Sequence, residues 1–170
     1  MRKGYTLLWS GGQEAKNGVG IILKTTLEEY VETVEYISDR MMKMRLRTST
    51  GVKDFIQVYA PQTGNKEEDI EEFLEKLENE ITDVEVIVMG DLNAQVGNER
   101  LGKEEIIGPF GYGKKNDEGE ILGDFCERSG LILGNTWFRK KNSHKITRYG
   151  WGERRTKMVI DYLLVENEKS

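Results

Sequence analysis

The residues best suited to chemistry follow a buried strand. The run "VEVIVMGDLNAQVGNE" is apolar up to Gly90 and then presents Asp91 and Asn93, two residues apart. At the edge of a sheet, an aspartate can orient or deprotonate a water, and a carboxamide can donate to a phosphate oxygen without adding charge. The alternative is an Asx-turn, in which both side chains satisfy local backbone groups. Taken alone, these residues favour the turn.

Two other predicted strands carry polar groups at or near their ends. "VYAPQ" offers Tyr59 and Gln62 where its strand stops, because Pro61 has no N–H for the ladder. "VIDYLLV" places Asp161 inside an otherwise apolar strand, where an unpaired carboxylate would be costly. We therefore expect Asp161 to have a hydrogen-bond donor or a metal. Three strands of this kind predict one shared cleft.

A basic strip follows, "RKKNSHKITRYGWGERR". Residues 139–157 contain eight bases and one acid, whereas residues 65–85 contain ten acids and two lysines. Arg148 and its basic neighbours could neutralise phosphates while Tyr149 and Trp151 stack on bases. The alternative is a solvated hairpin with both rings partly in the core.

Composition limits the possible classes. The chain has 170 residues, 37 % hydrophobic and 32 % charged, which is typical of one soluble domain. No run approaches the roughly 20 apolar residues of a membrane span. The first residues, "MRKGYTLLWSGG", have only a short apolar patch, so a cleavable secretory signal is not expected. Cys126 is the single cysteine, which excludes a disulfide framework or thiolate metal cluster. The net charge of −5 argues against a general nucleic-acid coat, but the charge is unevenly distributed.

Periodicity predicts an α+β fold of packed β-sheets with helices outside. "YTLLWSGG" and "GVGIIL" resemble strands, and "MMKMRLRT" alternates as a strand with a solvated face at Lys43, Arg45 and Arg47. The acidic segment repeats apolar residues at helical spacing, and "NDEGEILGDFCERSG" predicts a second helix. "VEVIVMG" is apolar on both faces, as in a central strand. "LILGNTWF", "KITRYGWG" and "MVIDYLLVE" are expected to be closing strands.

Four stretches in this order resemble the endonuclease/exonuclease/phosphatase superfamily: "VYAPQTG", "GDLNAQVG", "GPFGYGKKNDEGEILGDFCERSGLILGNTWF" and "VIDYLLV". The greatest likeness is to endonuclease domains of non-LTR retrotransposons and to craniofacial development protein 2-like sequences, and it covers essentially the whole chain. The resemblance implies a four-layered, DNase I-like α/β sandwich. It also implies phosphodiester hydrolysis assisted by Mg²⁺ (or Mn²⁺) and loops facing DNA in the region of Arg148, Tyr149 and Trp151.

Site roles follow from the same resemblance. Asp91 would orient or activate the attacking water, and Asn93 would hold the scissile phosphate. Tyr59 would hydrogen-bond that phosphate, with Gln62 at a neighbouring position where relatives also carry an amide. Asp161 would orient a catalytic histidine.

The sequence also departs from that family. Relatives begin with strands that bear an asparagine and a metal-binding glutamate, and they end in a Ser-Asp-His segment. This chain lacks both parts, so residues 1–170 are expected to be a single, incomplete domain without its main metal ligand. His144 precedes the Asp161 strand and is expected on the surface, and Met158 stands where many relatives have asparagine.

The leading hypothesis is a DNA endonuclease domain of a retrotransposon-derived protein, which nicks DNA and is impaired in this fragment. The alternative is an inactive, domesticated remnant that binds DNA or a protein. Another phosphoesterase, acting on lipids or nucleotides, is a third possibility. The expected partners are DNA and a reverse transcriptase domain in a longer parent protein. The expected location is intracellular, and nuclear if the protein is functional, without a membrane.

Overall fold

The computed structural model describes residues 4–12, 17–62, 64, 66–150 and 156–167. Its strands, in chain order, are β1 (Tyr5–Ser10), β2 (Val19–Lys24), β3 (Val31–Ser38), β4 (Met41–Thr48), β5 (Gly51–Tyr59), β6 (Glu85–Asp91), β7 (Leu131–Leu133), β8 (Arg148–Tyr149), β9 (Lys157–Met158) and β10 (Asp161–Glu166). The α-helices of this part are α1 (Glu67–Asn79) and α2 (Asp117–Arg128). Short 3₁₀ turns cover Thr25–Tyr30, Gly134–Thr136 and Asn142–His144.

A six-stranded sheet organises the molecule, in the order β3-β4-β5-β6-β10-β7. Adjacent strands of this sheet run antiparallel, except for β5 and β6. These two run parallel and are connected through α1. The predicted central strand is confirmed, because β6 lies between β5 and β10 with Val86 and Val88 fully buried.

The sheet has a different cover on each face. Both helices pack on one side, where the main core includes Leu77 of α1 and Phe125 of α2. The β1–β2 hairpin packs on the other side, where a second cluster joins Ile21 to Met42 and Met44. Two packed β-sheets with helices outside confirm the predicted α+β arrangement, although the second sheet is a two-stranded hairpin in the described residues. No helix in these ranges is long and apolar enough to span a membrane.

The predicted solvated face of β4 is wrong over its first half. Lys43 is only 6 % exposed and forms ion pairs with Glu80 and Glu35. Arg45 donates to both carboxylate oxygens of the fully buried Asp54, each at 2.7 Å. The alternation itself is correct, but Glu80 caps the C-terminus of α1 and covers this end of the strand. Lys43 is therefore buried and paired, whereas Arg45 is paired but partly exposed.

The closing strands are shorter than expected. β7 ends after three residues because Thr136 donates its hydroxyl to Leu133 O and the chain turns into a 3₁₀ segment. In the described part of the expected "KITRYGWG" strand, residues 145–150, the strand consists of the two residues of β8, which pair with β9. Of the three expected closing strands, the last is the longest in the described residues, with the six residues of β10.

One glycine controls how closely the central strands approach. Gly90 has φ 144°, and a Cβ there would lie 1.9 Å from Val58 O. Gly51 has a similar φ of 128° but open space around the same position. We expect Gly51→Ala to lower the free energy of unfolding by about 1 kcal/mol through strain. Gly90→Ala should cost about 4 kcal/mol or more, because backbone must also move.

Urea unfolding followed by far-UV circular dichroism measures both costs. Equal losses in the two variants would mean that the strands can separate freely at Gly90.

Candidate active site

Strand register brings three of the predicted residues into one row. Tyr59 at the end of β5 is paired with Asp91 at the end of β6, and Asp91 is paired with Asp161 at the start of β10. Directly paired residues project to the same face of a sheet. The row therefore lies at one edge, on the face opposite the helices. The three strands predicted to share a cleft do share this edge.

The turn after β6 fixes Asn93. Asp91 Oδ1 accepts the Asn93 N–H at 2.9 Å, and Asn93 has a left-handed backbone with φ 48°. Its side chain is only 3 % exposed, and Nδ2 donates to Ala60 O at 2.9 Å. The Asx-turn considered from the sequence is therefore present. It ties the end of β6 to the residue that follows β5.

The Tyr59 hydroxyl is held by a neighbouring amide. Gln62 Nε2 donates to Tyr59 Oη at 2.8 Å, while the ring is half-buried against the hairpin cluster. Because Tyr59 Oη is the acceptor in this hydrogen bond, its own proton can be donated to another group. Gln62 thus lies beside the row and orients Tyr59.

Asp161 is the first residue of β10 and half-buried, so the expectation of a carboxylate inside the strand is wrong. Its backbone is fixed on both sides, since Thr147 Oγ1 accepts the Asp161 N–H at 3.3 Å and Asn135 Nδ2 donates to Asp161 O at 3.1 Å. Among the described residues no side chain donates to its carboxylate. His144 is exposed on its 3₁₀ turn, as expected from the sequence.

In the described residues, the basic strip contacts this edge through Thr147, which accepts the Asp161 N–H, and through Arg148. Arg148 Nη1 lies 3.5 Å from Asn93 Oδ1, at the long limit of a hydrogen bond. Tyr149 is 52 % exposed. An exposed ring on the β8–β9 pair fits both the DNA-contact interpretation and the solvated hairpin. Trp151 lies outside the described residues. Arg148 is thus brought to the site, and Tyr149 is accessible beside it.

A cavity of about 130 Å³ adjoins the row from the helix side of the sheet. Its basic lining residues are Lys140, His144 and Lys145, and no acidic residue lines it. Thr147 and Asn135, which hold the Asp161 backbone, also line it. The cavity and the row therefore lie on opposite faces of the sheet, and the residues that hold the Asp161 backbone separate them.

Burial raises the pKa of Asp91 above its ordinary value, and the nearby Asp161 carboxylate adds to this rise, while the Asn93 N–H and Arg148 oppose it. Two neighbouring carboxylates repel each other, so the site favours a proton or a cation between them.

The described residues contain no group of three or more His, Cys, Asp or Glu side chains that could hold a metal ion. Asp91 and Asp161 supply two carboxylates. This donor set fits a Mg²⁺ ion that keeps several waters and takes further oxygens from a substrate phosphate. It does not form an all-protein cage.

Sequence reasoning missed three residues at this edge: Arg40, Asn135 and Thr147. Arg40 lies in the turn between β3 and β4. The polar sequence "SDR" between two apolar runs was the available signal. Asn135 and Thr147 act on the backbone of Asp161, which no local pattern reveals.

Known proteins share both the sequence and the fold. The chain is 31 % identical over 159 residues to Craniofacial development protein 2 of Tragulus javanicus, and the match covers 90 % of this chain. The same protein of Bos taurus gives 31 % identity over 159 residues. The chain spans about a quarter of these relatives, 27 % and 26 % respectively. No family model matches the sequence.

Solved structures decide the fold. The endonuclease domain of TRAS1, a telomere-specific non-LTR retrotransposon, superposes with a TM-score of 0.66 at 16 % identity, covering 96 % of this chain and 68 % of that one. An endonuclease/exonuclease/phosphatase family protein from Leptotrichia buccalis gives 0.61 at 17 %, covering 99 % and 62 %. The chain has an endonuclease/exonuclease/phosphatase-type fold. The predicted DNase I-like class is thereby confirmed.

A third structure with this endonuclease/exonuclease/phosphatase-type fold is D. rerio TDP2 complexed with a single-strand DNA product. Its TM-score is 0.56 at 12 % identity, and the match covers 98 % of this chain and 64 % of that one. At these identities the likeness establishes the fold alone. The activity must be argued from the site.

The raised pKa of Asp91 has a consequence for stability. The folded protein holds the Asp91 proton more tightly than the unfolded chain, so this group favours folding below its unfolded pKa and loses that contribution as pH rises. Asp91→Asn mimics the neutral acid and can still accept the Asn93 N–H. We expect Asp91→Asn to melt at a higher temperature than the parent at pH 7, with the difference shrinking towards pH 4.

Differential scanning calorimetry across this pH range tests the effect. Asp83→Asn, an exposed aspartate in the loop before β6, is the control and should change little. A variant less stable than the parent at every pH would contradict the unfavourable burial of the Asp91 carboxylate.

Proposed function

We propose that this chain is the core of a DNA endonuclease domain that cleaves phosphodiester bonds with the help of a divalent cation. The observation that carries the proposal is the register that aligns Tyr59, Asp91 and Asp161 at one sheet edge. A phenol and two acids on one face suit the binding and hydrolysis of a phosphodiester. The fold shared with TRAS1 endonuclease supports the same reaction class.

Each residue has a role that its contacts permit. Asp91 orients and deprotonates the attacking water, and its raised pKa makes it a better base than an ordinary aspartate. Tyr59, held by Gln62, donates its phenol proton to a phosphate oxygen. Asn93 keeps the two strand ends together and receives Arg148, whose guanidinium then faces the phosphate. Asp161 lies beside Asp91 and would orient a histidine supplied from elsewhere.

Mg²⁺ or Mn²⁺ would stabilise charge on the phosphate and the leaving oxygen when bound. Asp91 and Asp161 are the residues of this chain that could hold it. Because two carboxylates alone bind Mg²⁺ weakly, we propose that the cation is held mainly together with the substrate. Low activity of the isolated chain follows from this weak binding.

DNA is the proposed substrate because basic and aromatic groups flank the row. Arg148 and Tyr149 are exposed beside it, and further lysines of the basic strip line the cavity on the other face of the sheet. The solved TDP2 structure includes a single-strand DNA product, which supports a nucleic-acid ligand for this fold. A reverse transcriptase in a longer parent protein and action in the nucleus belong to the same proposal.

A second candidate is a DNA- or protein-binding domain that does not cut. The small donor set favours it, because no cluster of three metal-ligating groups occurs in the described residues. Removing one member of a cooperating catalytic set can abolish most of the rate.

Plasmid nicking separates the two candidates. In the presence of Mg²⁺ or Mn²⁺ we expect the parent to relax supercoiled DNA and Asp91→Asn to be slower by about 100-fold or more, because the water loses its base. Gel analysis of the relaxed fraction over time gives the rates.

Asp83→Asn is the matched control and should nick at the parental rate. Equal nicking by parent and Asp91→Asn would exclude this site as the source of cleavage. If the parent nicks with neither metal, the endonuclease proposal fails and the binding candidate remains.

DNA binding is tested without cleavage. Arg148→Ala should weaken binding to a labelled duplex and lower the slope of log affinity against log salt by about one, because one phosphate contact is lost. Fluorescence anisotropy in EDTA at several salt concentrations measures this slope. Arg128→Ala, an exposed arginine on α2, is the control, and the same slope change in both variants would exclude a specific role for Arg148.

A further inference from the structure

Arg40 contacts Tyr59 in three ways. Its Nη1 donates to Tyr59 O at 3.2 Å, and its guanidinium carbon lies 5.1 Å from the centroid of the Tyr59 ring. In addition, the Tyr59 N–H donates to Arg40 O at 2.9 Å. One arginine therefore holds both the backbone and the ring face of a single tyrosine.

We propose that Arg40 is a positioning residue that fixes the Tyr59 phenol for its contact with the scissile phosphate. This inference rests on the proposed function, since it assigns Tyr59 to the substrate. Gln62 holds the hydroxyl end of the same ring at 2.8 Å. The ring is thus held on its face by Arg40 and at its tip by Gln62.

The guanidinium also joins Tyr59 to the Asn93 turn. Nη1 of Arg40 lies 3.4 Å from Ala60 O, the same carbonyl that accepts Nδ2 of Asn93 at 2.9 Å. Ala60 O therefore accepts from Arg40, in the turn before β4, and from Asn93, in the turn after β6. A planar guanidinium can stack on a ring while donating to carbonyls, and a lysine ammonium cannot reproduce that geometry.

The turn that carries Arg40 is anchored by the hairpin. Ser10 Oγ donates to Ser38 O at 2.7 Å, and Asn17 Nδ2 donates to Asp39 Oδ2 at 2.6 Å. Within the turn, the Arg40 N–H donates to Ser38 Oγ at 3.2 Å. These contacts fix the backbone of Arg40, so less side-chain entropy is lost when its guanidinium reaches Tyr59. The β1–β2 hairpin thereby acts on the site without contributing a residue to the row.

Two other roles for Arg40 make different predictions. An arginine that contacted DNA directly would lower affinity and raise KM when replaced. An arginine that only stabilised the fold would lower the melting temperature and leave the rate per folded molecule unchanged. A positioning residue acts through Tyr59, so its effect must depend on the Tyr59 hydroxyl.

A double-mutant cycle in plasmid nicking applies this criterion. We expect Arg40→Lys to lower kcat by about 10- to 100-fold, with KM changed less than about twofold and a melting temperature close to the parent's. The double variant Arg40→Lys/Tyr59→Phe should be no slower than Tyr59→Phe alone. Effects that multiply, a change confined to KM, or a loss explained by unfolding would overturn the proposal.

The matched control is Arg128→Lys. Arg128 also stacks on an aromatic ring, at 5.5 Å from the Phe125 centroid, but on α2 rather than at the row. Its replacement should leave kcat and KM unchanged. A similar loss in Arg128→Lys would mean that the Arg40 effect is not specific to Tyr59.

A spectroscopic measurement separates failure of this proposal from failure of the proposed function. In protein labelled with 3-fluorotyrosine, the ¹⁹F resonance of Tyr59 is identified by its loss in Tyr59→Phe. Without DNA or metal, Arg40→Lys should shift this resonance and Arg128→Lys should not. If the parent fails to nick DNA, the endonuclease proposal is lost, yet the shift still measures whether Arg40 orients Tyr59. An unmoved Tyr59 resonance overturns the positioning role.

Discussion

The site depends on the close approach of β5 and β6 at Gly90. A side chain there would collide with Val58 O, so this spacing is available only to glycine. The register fixed at this point aligns Tyr59 with Asp91, and β10 extends the alignment to Asp161. Because successive side chains alternate between faces, a slip by one residue would turn this row towards the helices. The alignment of the row is therefore set by backbone packing at Gly90, one residue before Asp91.

Placing two acids side by side opposes stability at the edge for which we propose reactivity. Burial and Asp161 both disfavour the charged form of Asp91, and Arg148 only partly compensates. Elsewhere the described sheet pairs its buried charges closely, as Arg45 does with Asp54. The contrast shows that this fold can neutralise a buried carboxylate with a cation. In the row, the carboxylates are only partly neutralised. This suits an edge that binds a ligand with charges of its own.

Sequence reasoning succeeded where one residue pattern determined the structure. The apolar run of β6 and the helical repeat of α1 were predicted because their burial follows from local periodicity. It failed where a distant element intervened. Lys43 is buried because Glu80, at the C-terminal end of α1, lies over it and pairs with its ammonium group. β7 is short because the Thr136 hydroxyl donates to the carbonyl of Leu133, the last residue of the strand. Arg40 was missed because its partner Tyr59 lies on another strand, beyond any local pattern.

The Asx-turn and the functional interpretation of "GDLN" are not alternatives. The hydrogen bond from Asn93 N to Asp91 Oδ1 forms the turn, and the same turn holds Asn93 in the left-handed region. That conformation directs the amide to Ala60 O, where it meets the guanidinium of Arg40. Asp91 therefore uses one oxygen to build the geometry in which Tyr59 is held. A substitution that breaks the turn would disturb the phenol as well as the acid, so the structural role of Asp91 and its proposed chemical role are inseparable.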